Sequence, residues 1–397
     1  MLEPIATDLD FSAVRQRMQW YIDEHLIPFC TMVVLKGTDV IEATHLGGGT
    51  PETTVDDRSI FRMHSSTKLA TSVAAMMLHE EGRFGLDDPL EQYLPAFADM
   101  RVLTPDATSA DDTMAARSPI LVRHILSHSA GLSYGFIEPD SVIDKAYNAA
   151  GLDLMRFYRL TLAELVERLG ELPLAYEPGT SWRYSYATDV TARLVEVLSG
   201  RRFDEFLSER LLEPLGMVDT DFWVPAAKRD RLTTMFLPAD PTVPMTPGLS
   251  PMALEPEADG PPAMLSGGGG LFSTVVDYVE FMRMLVNGGE WRGRRYLEPE
   301  TLTLMRSNQL APGVGVRFPM WSMRHTTFGL GFALKEGPDA DEPNSAVGEY
   351  HWGGMAGTHF WLAPEPDIVG ICMTQRMPGF WHPFSRDFKR LVYEIAG

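Results

Sequence analysis

Residues 61–82, FRMHSSTKLATSVAAMMLHEEG, place a serine three positions before a lysine, at the start of a run of small and apolar side chains. The run predicts a buried helix over residues 66–82 that ends at Gly82. On such a helix Ser65 and Lys68 share one face near the positive end of the helix dipole. Burying an unpaired lysine is costly, so the pair is a candidate nucleophile and base. Chance spacing on a helix is the alternative.

On either side of this helix, the pattern of apolar residues predicts strands near both chain ends and mostly helices between them. Two strands are predicted over residues 28–37 and 38–48, joined by a turn at Gly37-Thr38-Asp39. Strand patterns return at residues 326–334, 348–353, 358–362 and 367–374. Helices are predicted over residues 10–26, 119–127, 161–170, 187–199, 203–212, 273–287 and 383–395, and long loops over residues 100–118 and 236–263.

This arrangement predicts an α+β fold. Strands from both chain ends form one antiparallel sheet, the terminal helices flank it, and a mostly helical region is inserted between the two sets of strands. The corresponding division is a sheet domain of residues 1–68 plus 320–397 and a mostly helical domain of residues 69–319. Cys30 and Cys372 lie in apolar strand segments, which favours buried thiols over a disulfide.

The composition narrows the class of partner. The 397 residues carry a formal net charge of -20 and are 45% hydrophobic, which predicts a sizeable core. The negative charge repels phosphate backbones and anionic lipids, so neither nucleic acid nor a membrane is expected as a partner. We find no signal-peptide pattern and no apolar run long enough to cross a bilayer, so a cytoplasmic protein is expected.

A second serine motif competes with the first. Residues 131–135, GLSYG, match the G-x-S-x-G pattern in which a serine occupies a sharp turn between a strand and a helix. The residues before Ser133 have a helical pattern, and no helix is predicted directly after it. We therefore interpret Ser133 as a loop residue whose flanking glycines permit tight turns.

Two other patterns also have plain structural interpretations. His124 and His128 are spaced four residues apart, as metal ligands can be, but no third ligand is evident, so packing and helix capping are favoured and no metal is expected. The glycine-rich residues 266–274 lack the lysine of a phosphate-binding loop. Their glycines predict close packing, and Ser273 or Thr274 is expected to begin a helix.

Several separated segments, taken together, resemble the serine β-lactamase-related superfamily. That superfamily includes class C β-lactamases, penicillin-binding proteins, D-aminopeptidases and family VIII carboxylesterases. Ser65-Ser66-Thr67-Lys68 resembles its S-x-x-K motif, residues 177–200 the segment with its Y-x-N motif, and residues 350–375 the segment with its third motif. Residues 265–289 resemble another segment, and the likeness extends over roughly residues 10–390. It implies a class C β-lactamase-like fold.

The departures from the superfamily pattern favour ester chemistry. The second motif is Tyr184-Ser185-Tyr186, without the asparagine, and His351-Trp352-Gly353 followed by Gly354 stands where β-lactamases have Lys-Thr-Gly. In the superfamily the missing lysine and threonine hold the carboxylate of a β-lactam. The Trp-Gly-Gly segment and the Tyr-Ser-x-Ala-x-Asp pattern ending at Asp189 are instead similar to family VIII esterases.

The resemblance implies a mechanism without metal or cofactor on a small-molecule ester. Ser65 attacks the ester carbonyl, Lys68 and Tyr184 share the proton, and the backbone N–H groups of Ser65 and Gly354 form the oxyanion hole. Water, or an alcohol, then attacks the acyl-enzyme. Which of Lys68 and Tyr184 is the base is open, because a coupled pair titrates together.

Four further residues are expected to bind substrate by the same resemblance: Tyr134, His351, Trp352 and Gly353. Tyr134 could equally be a packed loop residue, and Trp352 could be strand core. Three rival functions remain: a β-lactamase or D-aminopeptidase on the same scaffold, an acyltransferase, and a catalytically inactive ligand-binding relative.

Overall fold

The centre of the molecule is a seven-stranded antiparallel sheet drawn from both chain ends. The computed structural model describes residues 2–153, 156–252, 260–319, 321–338 and 344–397. The strands are β1 (Phe29–Lys36), β2 (Asp39–Gly47), β3 (Thr326–Phe328), β4 (Ala333–Lys335), β5 (Tyr350–Gly353), β6 (Thr358–Ala363) and β7 (Ile368–Met373), in the spatial order β3-β4-β5-β6-β7-β1-β2. The expected α+β fold, with one sheet built from both chain ends, is confirmed.

Helices occupy the region between the two sets of strands and both ends of the chain. They are α1 (Ser12–Asp23), α2 (Thr67–Glu80), α3 (Val122–Leu126), α4 (Val142–Ala149), α5 (Leu162–Gly170), α6 (Ala187–Ser199), α7 (Phe203–Leu207), α8 (Glu213–Leu215), α9 (Val275–Val286), α10 (Pro299–Met305) and α11 (Phe384–Ala396). A π-helical turn over Ser208–Leu212 joins α7 to α8. None of the described helices is long and apolar enough to cross a membrane.

Short two-stranded pairs lie outside the main sheet. They are Phe61–Arg62 with Phe272–Ser273, Arg101–Leu103 with Thr113–Ala115, Phe236–Pro238 with Leu249–Pro251, Glu290–Trp291 with Arg294–Arg295, and Arg317–Phe318 with Trp321–Ser322. The pairing of Phe61 with Ser273 joins the segment before α2 to the segment before α9.

The two faces of the sheet are covered by different helices. Cys30, Met32 and Val34 of β1 belong to a core cluster with α1 and α11. Val33 and Leu35 belong to the larger core that includes α2, α6 and α9. Successive strand residues point to opposite faces, so this alternation explains why β1 is apolar almost throughout. The flanking position of the terminal helices is as predicted.

Local signals explain where several helices begin and end. Thr161 and Glu164 form a capping box at the start of α5. Thr274 accepts the backbone N–H of Asp277 at the start of α9, as the sequence predicted for Ser273 or Thr274. Gly200 ends α6 in the left-handed region at φ 71°, which glycine adopts without strain.

Some predicted elements differ from the structure. The predicted strand over 326–334 is two strands, β3 and β4, because Gly331 reverses the chain at φ +110°. Both predicted long loops contain a strand pair, although residues 253–259 of the second lie outside the described residues. Helices α4 and α10 were not predicted. The helix predicted over 119–127 is shorter in the structure, where α3 covers only Val122–Leu126.

The two cysteines are free and buried, as predicted, and they lie on neighbouring strands. Their Sγ atoms lie 3.4 Å apart, with Cys30 on β1 and Cys372 on β7. Both belong to the cluster beneath the terminal helices. They contribute to packing there as small apolar side chains.

Candidate active site

Ser65 lies in a 3₁₀ turn, His64–Ser66, directly before α2. Its side chain is half-buried. The next residue is held firmly: the Ser66 hydroxyl donates to Thr358 O at 2.8 Å, and the Tyr278 hydroxyl donates to Ser66 O at 3.1 Å. Strand β6 and helix α9 therefore fix the turn that presents Ser65.

Lys68 lies one turn further along and is almost fully enclosed, with a relative exposure of 1%. Its Nζ donates to Gly268 O at 2.6 Å and to the Tyr134 hydroxyl at 3.2 Å. Burial lowers the pKa of Lys68 to about 7, although the nearby Asp189 carboxylate opposes the shift. Much of the lysine is therefore neutral near pH 7, as a general base requires.

Tyr184 completes the cluster. Its phenolic oxygen accepts a hydrogen bond from Trp352 Nε1 at 3.2 Å, and a second hydrogen bond joins it to the Ser65 side chain. The Nζ of Lys68 lies 4.6 Å from the centre of the Tyr184 ring. Burial raises the pKa of Tyr184, and the hydrogen bonds from Ser65 and Trp352 act against that rise. Tyr184 is therefore protonated at neutral pH.

Asp189 is a site residue to which sequence reasoning assigned no role. It lies on α6, is 1% exposed, and its Oδ1 accepts from the Ser266 hydroxyl at 2.6 Å and from Gly268 N–H at 3.1 Å. Gly268 O in turn accepts from Lys68 Nζ, so Asp189 holds the residue whose carbonyl binds the lysine. The negative charge of Asp189 also raises the pKa of Lys68. A Cβ at Gly268 would lie 2.6 Å from Asp189 Oδ2, so this approach requires glycine.

Two signals in the sequence pointed toward Asp189. It ends the Tyr-Ser-x-Ala-x-Asp pattern, and the glycine-rich residues 266–274 were correctly expected to allow close packing. Burial raises the pKa of Asp189, and the charge of Lys68 lowers it. The sequence did not show that close packing of Gly268 against Asp189 brings the Gly268 carbonyl to Lys68.

The end of β5 lies against the turn that carries Ser65. A Cβ on Gly354 would approach Met63 O to within 2.3 Å, so only glycine fits there. Gly354 N–H donates to Thr358 O at 2.6 Å, across the turn that joins β5 to β6. This bond counts against the expected use of Gly354 N–H as an oxyanion donor. Among the described residues, no acceptor receives the N–H of Met355, the next residue.

A cavity of about 460 Å³ opens at Ser65 and Tyr184. Most of its wall is apolar or aromatic, with contributions from Phe136, Ile137, Pro244, Phe318, Pro319, Met355, Phe380 and Trp381. Gly353, for which a substrate-binding role is expected, lines this cavity. An apolar cleft above a serine hydroxyl suits the hydrocarbon part of a small organic molecule.

The other expected substrate-binding residues occupy different places. Tyr134 and Trp352 are buried and do not line the cavity at Ser65. The Tyr134 hydroxyl accepts from Lys68 Nζ, and Trp352 Nε1 donates to the Tyr184 hydroxyl. His351 lines a second, adjoining pocket rather than the cavity at Ser65.

The competing motifs have structural roles. Ser133 is completely buried, donates to Asp144 Oδ1 at 2.5 Å and accepts from Arg183 Nε at 2.6 Å. His124 Nδ1 accepts from a backbone N–H, and His128 Nδ1 shares a hydrogen bond with a serine hydroxyl. Within the described ranges, no three His, Cys, Asp or Glu side chains group as metal ligands.

Comparison with known proteins identifies the family to which the chain is related. The Beta-lactamase family model matches residues 13–393. Esterase EstB of Burkholderia gladioli is 27% identical over 383 residues, 91% of this chain and 90% of that protein. The lovastatin esterase of Penicillium rubens is 31% identical over 275 residues, 68% of this chain and 64% of that protein.

A solved structure gives the same result for the fold. EstCE1, described as a hydrolase with promiscuous acyltransferase activity, matches with a TM-score of 0.77 and 26% identity, and covers 96% of this chain and 97% of that chain. The family match spans nearly the whole length, including Ser65, α2, α6 and the strands β5 to β7. The chain belongs to the Beta-lactamase family.

Proposed function

We propose that the protein is a serine carboxylesterase that hydrolyses small or medium carboxylic esters through an acyl-enzyme on Ser65. The observation that carries this proposal is the enclosed Lys68, with its pKa near 7, beside a serine hydrogen-bonded to Tyr184 at an apolar cavity. The names of two relatives, both esterases, support the same activity.

In the proposed first step Lys68 is the base. It takes the proton of Ser65 as the serine oxygen attacks the ester carbonyl, and Tyr184, which is protonated, donates a proton to the leaving alkoxide. The resulting lysine ammonium then returns a proton to Tyr184. A water molecule attacks the acyl-enzyme in the second half-reaction, releasing the acid and restoring Ser65.

We assign the oxyanion hole to the N–H groups of Ser65 and Met355. Gly354 N–H is already donated to Thr358 O, whereas Met355 lines the cavity together with Ser65. Two backbone donors fixed in this way would each stabilise the developing oxyanion by roughly 3 kcal/mol.

Acyl transfer to an alcohol is the second candidate function. EstCE1 is described as a hydrolase that also transfers acyl groups, and the apolar cavity here could hold an alcohol next to the acyl-enzyme. The two functions share Ser65, Lys68 and Tyr184 and differ only in which nucleophile attacks the acyl group.

The direct test compares substrate classes on the wild-type enzyme. We expect turnover of p-nitrophenyl acetate and butyrate and poor turnover of nitrocefin, because His351-Trp352-Gly353 replaces the Lys-Thr-Gly segment that holds a β-lactam carboxylate. Added ethanol that diverts acyl groups from acid to ethyl ester would establish the second candidate. Efficient nitrocefin hydrolysis without ester turnover would contradict the proposal.

A further inference from the structure

Tyr184 lies in a stretch of chain without regular secondary structure. Along the described part of the chain, residues 182–185 belong to neither a helix nor a strand, and α6 begins only at Ala187. Neither a strand ladder nor a helix therefore fixes the backbone of the tyrosine whose hydroxyl is bonded to Ser65. A reacting group displaced by about 1 Å can lose about a hundredfold in rate. Contacts from other parts of the fold must hold Tyr184 in place.

His128 contacts the chain on both sides of Tyr184. Its backbone carbonyl accepts from Arg183 N–H at 3.0 Å, directly before the tyrosine. Its Nδ1 shares a hydrogen bond of 3.2 Å with the Ser185 hydroxyl, directly after the tyrosine. Its Nε2 shares one of 3.4 Å with the Thr188 hydroxyl on α6. One residue thus binds the segment around Tyr184 at three points.

The imidazole ring also packs directly against the Tyr184 ring. The centres of the two rings lie 4.9 Å apart, with their planes inclined at 49°. His128 is only 2% exposed, and its ring stands nearly perpendicular to that of Phe328 on β3, at 5.3 Å between centres. The histidine is therefore enclosed by packing, and it limits the movement of the Tyr184 ring as well as of the backbone.

The imidazole is uncharged, which suits its hydrogen bonds. Burial, and after it the charge of Lys68, lower the pKa of His128 well below its usual value. A neutral imidazole has one donor nitrogen and one acceptor nitrogen, and a hydroxyl can take either complementary role. The bonds to Ser185 and Thr188 are therefore satisfied in either tautomer.

His128 stands where a helix usually ends with glycine. It follows the last turn of α3, its φ is +57°, and Ser129 N–H donates to His124 O at 2.9 Å at the helix end. Glycine adopts this left-handed conformation without strain, whereas a side chain there costs free energy. The position retains a histidine at a cost to folding, which the contacts of the imidazole with the segment around Tyr184 explain.

We propose that His128 is a positioning residue for catalysis, which binds the chain on both sides of Tyr184 and sets the Tyr184 hydroxyl against Ser65. This inference rests on the proposed esterase function and deepens it by naming what holds the proton donor. His128 is not among the described residues that line the cavity, so it acts through Tyr184 rather than on the substrate. Its loss should slow the departure of the alkoxide and change ester binding little.

The test uses His128→Asn, because asparagine tolerates the left-handed backbone conformation but has no ring to pack against Tyr184. On ethyl butyrate, kcat is expected to fall about 10- to 100-fold, with KM within about twofold of wild type. On p-nitrophenyl butyrate the loss should be smaller, because nitrophenoxide leaves without being protonated. The same loss on both esters, or no loss on either, would overturn the positioning role.

The matched control is His124→Asn. His124 is also buried, lies on α3 and accepts from Leu121 N–H through Nδ1, so its replacement should keep the wild-type kcat on both esters. Thermal unfolding shows which variants are folded. Should His128→Asn not fold, Ser185→Ala removes one of the bonds with the histidine in place. It should show the same dependence on the leaving group, with a smaller loss.

A double-mutant cycle tests whether His128 acts through Tyr184. Once Tyr184→Phe has removed the proton donor, the addition of His128→Asn should lower kcat on ethyl butyrate by less than about twofold. Equal losses from His128→Asn in both backgrounds would mean that the histidine acts elsewhere. An unchanged rate in Tyr184→Phe itself would instead contradict the proposed mechanism.

The position of Tyr184 is measured separately from turnover, by crystal structures of the wild type and both histidine variants. In His128→Asn the Tyr184 hydroxyl is expected to move out of hydrogen-bond reach of Ser65, beyond about 3.5 Å, and in His124→Asn to stay within it. If the wild type hydrolyses neither ester but the hydroxyl moves, the esterase proposal fails and the positioning of Tyr184 by His128 stands. An unmoved hydroxyl in His128→Asn would overturn the inference.

Discussion

Ser65 and Ser133 both lie in patterns typical of nucleophilic serines, yet their surroundings differ. Ser65 is half-buried, opens into the apolar cavity and is hydrogen-bonded to Tyr184 beside a lysine of lowered pKa. Ser133 is fully buried, and the charged side chains bonded to it are Arg183 and Asp144. A substrate can therefore reach the first serine and not the second.

The difference teaches that a motif identifies a nucleophile only together with its base. Arg183 is permanently charged and cannot accept a proton. It also pairs with Asp144 at 2.9 Å, which keeps that carboxylate in an ion pair rather than available as a base. Lys68 is different, because its enclosure makes the neutral amine accessible near pH 7. Burial of Lys68 thus supports the proposed activation of Ser65, whereas buried Ser133 belongs to a structural network.

The largest expected effect comes from removing one hydroxyl next to Ser65. Tyr184→Phe should lower kcat on a short ester by at least about a hundredfold, because the leaving alkoxide loses its proton donor. Tyr186→Phe is the matched control: its hydroxyl donates to Leu152 O and is not bonded to Ser65. Steady-state kinetics of both variants measures the contrast. An unchanged rate in Tyr184→Phe would remove Tyr184 from the mechanism.

A smaller effect is expected on the pH profile. In the proposed mechanism the neutral form of Lys68 is the base, so kcat/KM should rise with pH through about 7. The Asp189 carboxylate favours the ammonium form and raises the pKa of Lys68. Asp189→Asn should therefore move the acidic limb of the profile to lower pH, by roughly one unit.

The control for this shift comes from the Ser133 network. Asp144→Asn removes a buried carboxylate of the same kind, but that carboxylate pairs with Arg183 rather than acting on Lys68. Its pH profile should keep the wild-type limb even where stability falls. The role assigned to Asp189 would be wrong if both variants shifted the limb equally, or if Asp189→Asn shifted it to higher pH.

The sheet was largely predictable because its strands are marked by continuous apolar runs and by a turn signal at Gly37. The hairpin of β3 and β4 was missed because its turn residues stand within what appeared to be one alternating pattern. Helix α4 is only eight residues long, and its main signal is the Ser141 cap, which accepts from Asp144 N–H. Such short helices are stabilised mainly by tertiary packing.

The site was predictable to the extent that its residues lie in motifs. Ser65, Lys68 and Tyr184 carry recognisable patterns, and the structure brings them together. Asp189 could not be placed, because its bonds to Ser266 and Gly268 join residues 77 and 79 positions apart in the chain.

The most direct measurement is labelling of the native protein with a fluorophosphonate, followed by peptide mapping by mass spectrometry. The label is expected on Ser65 in the wild type and in Ser133→Ala, and it should disappear in Ser65→Ala. A label on Ser133 would mean that the buried serine becomes accessible and that the assignment of the nucleophile is wrong. No label at all on a folded protein would contradict the catalytic account.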